Sequence, residues 1–352
     1  MKATEAAARW ALAAVLALGG ATGASATGRK AAGQDGPLCR GYAGLPEGFG
    51  PATGSAPNRA GLVAVKGGTF TLGSRDGYPE EGEPQRKRVR DFWIDRHEVT
   101  NAQFAAFVKA TGYVTRAERP LDAWAYPGVP RERLVPSSVV FVPPTQPTAA
   151  YGWWKLIPGA DWRHPRGPGS DIEGLENHPV VHVAFEDAQA YARWLGRELP
   201  TEAQWEYAAR GGLEGATYPW GNTPELRGRA MANSWQGRFP FEDDAADGHA
   251  GTAPVGCFEP NGFGLVDVVG NAWEWTRDPW RDRHGQDGSD NPMEVKLNAA
   301  DGPRGTQPRV IKGGSFLCAP DFCVRYRPSS RQPQDPLLAT QHLGFRTVLN
   351  TR

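Results

Sequence analysis

The sequence predicts a single, irregular, loop-rich α+β domain. Only three stretches combine a helical period with proper end signals, and the strand-like runs between them are short. Turn formers are dense, with Gly 44 and Pro 31 in 352 residues, and no internal repeat is visible.

The elements follow in order. GGTFTLGS (67–74) alternates, placing Phe70 and Leu72 on one face of a strand. Gly77 to Pro84 is an acidic loop, and Val89 to Ile94 reads as a second strand with Phe92 and Ile94 inward. A helix begins at Thr100, an N-cap with Gln103 as capping-box partner, and ends at Gly112. Residues 119–172 are rich in Pro and Gly and read as irregular, a length that points to function. Residues 185–195 put Ala188, Tyr191, Ala192 and Leu195 on one stripe, closed by Gly196. LPTEAQWEYAARGG supplies a third helix, with Thr201 and Gln204 as its box, Trp205, Ala208 and Ala209 as its apolar stripe, and Gly211 as its stop. Residues 218–310 read as loops and short strands, and HLGFRTVL (342–349) as a closing strand.

Formal net charge is zero, which argues against nucleic acid or an anionic membrane as the main partner. Lys2 and Arg9 flank a short n-region, Trp10 to Leu18 is apolar, and Ala24-Ser25-Ala26 offers a cleavage site. The organisation expected is a signal peptide at 1–26, a flexible leader or loose wrap at 27–58, and one domain at 59–352, with no membrane contact after cleavage. The mature chain is then exported, to a periplasm, a secretory lumen or the outside.

Chemistry is most concentrated at RVIKGGSFLCAPDFCVRYR (309–327), with two of the four cysteines, Cys318 and Cys323, on a short segment. Pro320 and Asp321 between them disfavour a continuous helix, and the framing sequence is strand-like. Such a pair can form a disulfide, hold a soft metal such as Cu(I), or attack a substrate. In an exported chain the spacing alone favours a disulfide. Cys39 and Cys257 are open between pairing and remaining free. There is no G-x-S-x-G elbow, no zincin spacing after His97-Glu98, no C-x-x-C and no phosphate loop at the glycine pairs. Asn233, Asp247, Asp267 and Glu274 are oxygen donors in loops, suited to a hard cation or to plain turn formation.

Several segments together carry a resemblance: GGTFTLGS, FWIDRHEVTNAQFAAFV, HPVVHVAFEDAQAYARWLGRELPTEAQWEYAARGG, YPWGN, GLVDVVGNAWEWTRD, KGGSF and LGFR. Over roughly residues 60–348 the chain resembles the formylglycine-generating enzyme (sulfatase-modifying factor) family. KGGSFLCAPDFCVRYR and YGWWKLIPGADWRHPRGPGS are similar to segments of its oxidase members. The resemblance implies the irregular α+β fold of that family, related to C-type lectin-like folds. It implies a monomer that oxidises the cysteine of a C-x-P-x-R segment in an unfolded sulfatase polypeptide to Cα-formylglycine, using O2 and a thiol reductant. Cys318 and Cys323 would bind Cu(I), with Ser315 and Trp273 beside them in the active site. Structural calcium would lie at Asn233, Ser234, Asp247 and His249, and at Asp267, Gly270, Ala272 and Glu274; Ser234, His249, Gly270 and Ala272 would offer backbone carbonyls. Asp122, Trp153, Trp154 and Arg325 are the substrate-groove candidates. The alternative is a non-catalytic accessory or binding protein of this fold, with Cys318–Cys323 as a structural disulfide. Departures are Asp122-Ala123 where relatives carry an acidic-hydroxyl pair, and Pro328 and Thr347 where vertebrate members have disulfide cysteines.

Overall fold

Threonine and glycine set the ends of two helices as local chemistry requires. At Thr100 the side-chain oxygen accepts the Gln103 amide at 3.2 Å while Gln103 accepts the Thr100 amide at 2.9 Å, and Gly112 closes the helix in the left-handed region at φ 66°. Thr201 and Gln204 repeat the arrangement at 3.0 Å each way, closed by Gly211 at φ 57°.

The computed structural model describes residues 39–54, 56–148, 151–281 and 307–351. The expected signal peptide and residues 27–38 lie outside them. All described residues fall in one compact unit, Ala31–Arg352. In chain order it contains β1 (Leu62–Val65), β2 (Gly68–Leu72), β3 (Gln85–Val89), β4 (Phe92–Asp95), α1 (Asn101–Thr111), β5 (Ser137–Phe141), β6 (Trp154–Pro158), α2 (Phe185–Trp194) and α3 (Glu202–Arg210). There follow β7 (Glu225–Leu226), β8 (Arg229–Ala230), β9 (Trp273–Pro279), β10 (Arg309–Lys312), β11 (Arg331–Gln334), β12 (Leu343–Gly344) and β13 (Val348–Asn350). One sheet has the order β1-β4-β13, another β11-β10-β9-β12, and three two-stranded ribbons complete the set. The three helices agree with their sequence signals to within a residue or two.

Four strand-level expectations need correction. The run 89–94 is two strands, because β3 pairs with β2 whereas β4 pairs with β1 and β13. The closing run divides into β12 and β13, which join different sheets. The stretch 119–172 contains the β5–β6 ribbon, in register from Ser137↔Pro158 to Phe141↔Trp154. Val324 to Arg327 is not a strand, because side chains of another loop hold its backbone and guanidinium groups.

The main core gathers Phe104, Tyr191, Trp205, Trp273, Trp275, Ile311 and Phe345 between the helices and both larger sheets. A second cluster of Phe141, Trp153, Trp235, Phe239, Phe316, Leu317 and Ala319 lies under the thiol loop. Residues 39–58, expected as a leader or loose wrap, are fixed to this body. Cys39 is disulfide-bonded to Cys257, and Phe49 packs on Tyr191 and Trp194. The bridge closes a sequence separation of 218 residues, so it removes much chain entropy from the unfolded state. Cys257→Ser lowers the unfolding free energy by about 2–5 kcal/mol in denaturant melts. An unchanged midpoint would contradict the bridge's structural role.

Candidate functional site

Strand β10 delivers the chain to the site, and the lysine at its end closes the loop. Lys312 is fully buried; its Nζ donates to Glu206 Oε2 at 2.9 Å and to the Ser329 carbonyl at 3.2 Å. One side chain thus ties the start of loop 313–328 to its end and to α3. The two glycines after it are obligatory. A Cβ on Gly313, at φ 98°, would lie 3.0 Å from the Trp205 ring, and one on Gly314, at φ 76°, 2.8 Å from the Arg325 backbone. Only glycines let the two arms of the loop touch.

Beyond them the Ser315 carbonyl accepts the Cys318 amide at 2.9 Å, and the Ala319 carbonyl accepts the Cys323 amide at 2.8 Å. These turns bring the Cys318 and Cys323 sulfurs to 3.2 Å, both as free thiols. A disulfide bond is about 2.05 Å, so this is a non-bonded contact and the structural-disulfide reading is not realised here. Cys318 is buried and Cys323 partly exposed. The hydrogen bond from Cys318 and the nearby Arg325 guanidinium lower the Cys323 thiol to about 7, against the burial that raises it. Burial pushes the Cys318 thiol up, with its Cys323 neighbour adding to that. Cys323 is therefore the more readily ionised of the two, and a thiolate is the form that binds a soft thiophilic metal.

The other predicted residues are placed as follows. Ser315 is fully buried, its Oγ accepting the Leu317 amide at 3.3 Å. Trp273 is buried on β9 in the same core cluster as Cys318. Trp153 meets Phe322, the residue before Cys323 in sequence, edge-on at 5.6 Å, and Phe322 stacks on Phe239 at 4.4 Å. Phe322 is itself 46% exposed, so an aromatic wall reaches solvent beside the sulfurs. Trp154 packs on His342 at 4.7 Å and belongs to the wall's underside. Asp122 ion-pairs with Arg116 at 2.5 Å. Arg325 is ion-paired to Glu80 and lies 3.7 Å above the Tyr78 ring, so it shapes the site from behind.

The two loops with candidate hard-cation ligands are also assembled. Asp247 accepts the Ser234 and His249 amides at 3.1 and 3.0 Å, with Asn233 buried alongside. Burial raises the Asp247 carboxyl to about 6. In the second loop Arg346 pairs both carboxylate oxygens of Glu274 at 2.7 Å. Asp267 Oδ1 and Glu98 Oε2 are buried without a partner there. Glu98, Asp267 and Glu274 thus share one guanidinium, and burial pushes the Glu98 and Asp267 carboxyls up towards the neutral form, which a nearby cation would oppose. Among the described residues no group of three or more His, Cys, Asp and Glu side chains could hold a metal ion. A cation at either loop therefore needs backbone carbonyls such as those of Ser234, His249, Gly270 and Ala272.

Two histidines lie behind the aromatic wall, His182 fully buried and His342 partly so. His182 Nδ1 is 2.7 Å from Ser138 Oγ and its Nε2 is 2.9 Å from the Pro165 carbonyl. Burial lowers His182 to about 4 and His342 to about 3. A lowered folded-state value means the unfolded chain binds the proton first. Stability from neutral His342 is fully present above pH 6.5 and is lost as pH falls towards about 3. His342→Asn flattens the acid limb of the stability curve by about 1.4 kcal/mol per pH unit relative to the unsubstituted chain. Parallel limbs in the two proteins would contradict it.

Sequence reasoning missed Tyr78, Glu80, Glu81, Glu98 and the wall residues Trp235 and Phe239. Only the acidic loop at 77–84 gave any signal, since contacts across more than 200 residues have no local signature.

Comparison with known proteins fits this geometry. A sequence profile of the sulfatase-modifying factor enzyme 1-like domain matches residues 51–351. The formylglycine-generating enzyme of Mycobacterium tuberculosis is 53% identical over 292 residues, covering 82% of this chain and 97% of that protein. The mouse protein named inactive C-alpha-formylglycine-generating enzyme 2 is 38% identical over 298 residues, covering 81% and 84%. Among solved structures, PvdO from Pseudomonas aeruginosa superposes with a TM-score of 0.54 at 26% identity, covering 86% of this chain and all of that one. These matches, spanning nearly all the described residues, show that the chain belongs to the formylglycine-generating enzyme (sulfatase-modifying factor) family.

Proposed function

We propose that this protein is a formylglycine-generating oxidase acting on the cysteine of a C-x-P-x-R segment in an unfolded sulfatase polypeptide. The observation that carries the reading is the pair of free thiols at 3.2 Å on a loop closed by Lys312. The reaction oxidises the peptidyl Cβ. Its C–S bond and one C–H bond break and a C=O bond forms. One atom of O2 enters the aldehyde and the other leaves as water, sulfur departs as sulfide, and a thiol reductant supplies two electrons with two protons.

Cys318 and Cys323 would hold Cu(I), which supplies a thiolate-bound, electron-rich centre for O2 chemistry. The chain's own contribution is positional. Lys312, Gly313 and Gly314 fix the loop, Arg325 favours the ionised Cys323, and buried Trp273 and Ser315 exclude bulk water. Trp153 and Phe322 offer apolar surface to an extended peptide. Calcium at the Asn233–His249 and Asp267–Glu274 loops belongs to the same reading, as compensation for the buried carboxylates.

The test is direct. The reduced, Cu(I)-loaded protein is incubated aerobically with a C-x-P-x-R peptide and a thiol. Mass spectrometry shows the aldehyde, and its absence under these conditions would overturn the proposal.

A further inference from the structure

We propose that the short turn Tyr78–Glu81 is a positioning clamp for Cys323, with Tyr78 as its principal positioning residue. The inference rests on Cys318 and Cys323 being the reacting pair. The turn comes from the acidic loop at 77–84, to which the proposed reaction gives no task.

The clamp grips three of the four residues that follow Cys323. The Val324 amide donates to the Tyr78 hydroxyl at 3.0 Å, one residue from the thiol. The Arg325 guanidinium lies over the Tyr78 ring at 3.7 Å and ion-pairs with Glu80. Arg327 ion-pairs with fully buried Glu81 and donates from Nε to the Val324 carbonyl at 3.0 Å. Arg331 adds a bond to the Glu80 carbonyl at 3.1 Å. Val324 to Arg327 has no strand pairing of its own, so side-chain contacts such as these hold its path, together with Tyr326 stacked on Tyr218 and the close approach of Gly314 to the Arg325 backbone.

The turn itself is locked. The Tyr78 amide donates to Glu81 Oε1 at 3.0 Å, and Gly77 has no Cβ because one would collide with the Glu81 carboxylate. The partners are 246 residues apart in sequence, so chain connectivity does not supply the contact. Exposed ion pairs contribute little, but Arg325 and Glu80 retain only 10% and 12% side-chain exposure. Cys318, in contrast, is held from the other arm of the loop through Ser315. The 3.2 Å sulfur separation is therefore set from both arms of the loop, and Tyr78 supplies the anchor just beyond Cys323.

Tyr78 also walls an open cleft of about 340 Å³ with Tyr218, Val324 and Arg327. It can thus be altered without hollowing the main core. Tyr78→Phe keeps the ring under Arg325 and removes only the acceptor for Val324. Glu80→Gln keeps the acceptor and removes the charge partner of Arg325.

The experiment measures the rate at which dibromobimane bridges the two thiols in the reduced, metal-free protein, alongside the folding midpoint and turnover of the copper-loaded protein. Tyr78→Phe is expected to slow bridging about tenfold, with kcat falling by a similar factor and KM for the peptide unchanged. Glu80→Gln is expected to act in the same direction, more weakly. A role confined to stability would move the midpoint and leave bridging and kcat alone below it. Bridging and kcat at the unsubstituted rate in both folded variants would overturn the clamp. Should Tyr78→Phe not fold, Glu80→Gln decides. Slowed bridging in a protein without aldehyde-forming activity would support the clamp and count against the proposed oxidase.

Discussion

Cys318→Ser and Cys323→Ser each reduce aldehyde formation by about 10³-fold or more, and the double variant is no worse than either single one. Residues that act as one unit lose nearly all their effect when the first is removed. The sulfurs in contact at 3.2 Å are such a unit, because neither can hold a soft metal in a two-sulfur geometry alone. The fold should survive. Cys318 is buried among apolar side chains, so its serine variant places a hydroxyl there at about 1–3 kcal/mol. Cys323 is partly exposed and costs less. Turnover by mass spectrometry, read beside a melting curve, separates chemistry from folding. Either variant with near-native turnover would refute the thiol pair as the reacting centre.

Arg346→Met destabilises the fold by about 3–5 kcal/mol, among the largest effects expected of any single substitution outside the thiol loop. Arg346 is fully buried and pairs both oxygens of Glu274 at 2.7 Å. It further donates to the Asp95 carbonyl at 3.2 Å and the Val266 carbonyl at 3.3 Å. Removing it strands Glu274 beside Glu98, already pushed up by burial and by the Asp267 charge, and beside Asp267, raised to about 7 by burial and by the Glu274 charge. Equilibrium unfolding in denaturant measures the loss. A change below about 1 kcal/mol would mean that the carboxylates are neutralised by other means.

The parts of the fold legible in the sequence are those set by neighbours in sequence. Thr100 with Gln103 and Thr201 with Gln204 announce helix starts because their bonds span three residues. Gly313 and Gly314 announce a tight backbone approach, although not to what. Partners far along the chain were not legible. The β5–β6 ribbon lies in a Pro-rich stretch whose strand character arises from pairing, not propensity. Cys39 and Cys257 pair across 218 residues, and nothing local marks either as the other's partner. The state of Cys318 and Cys323 depends on a separation set by Lys312 on one arm and Tyr78 on the other. Spacing alone therefore favoured a disulfide where the structure holds two free thiols.

The proposed function requires these two sulfurs to form an open metal-binding pair. Competition titration of the reduced protein with Cu(I) tests it most directly. One tightly bound Cu(I) per chain, lost on Cys318→Ser and on Cys323→Ser, is the expected result. Binding that persists in both variants, or no binding by the reduced protein, would contradict it.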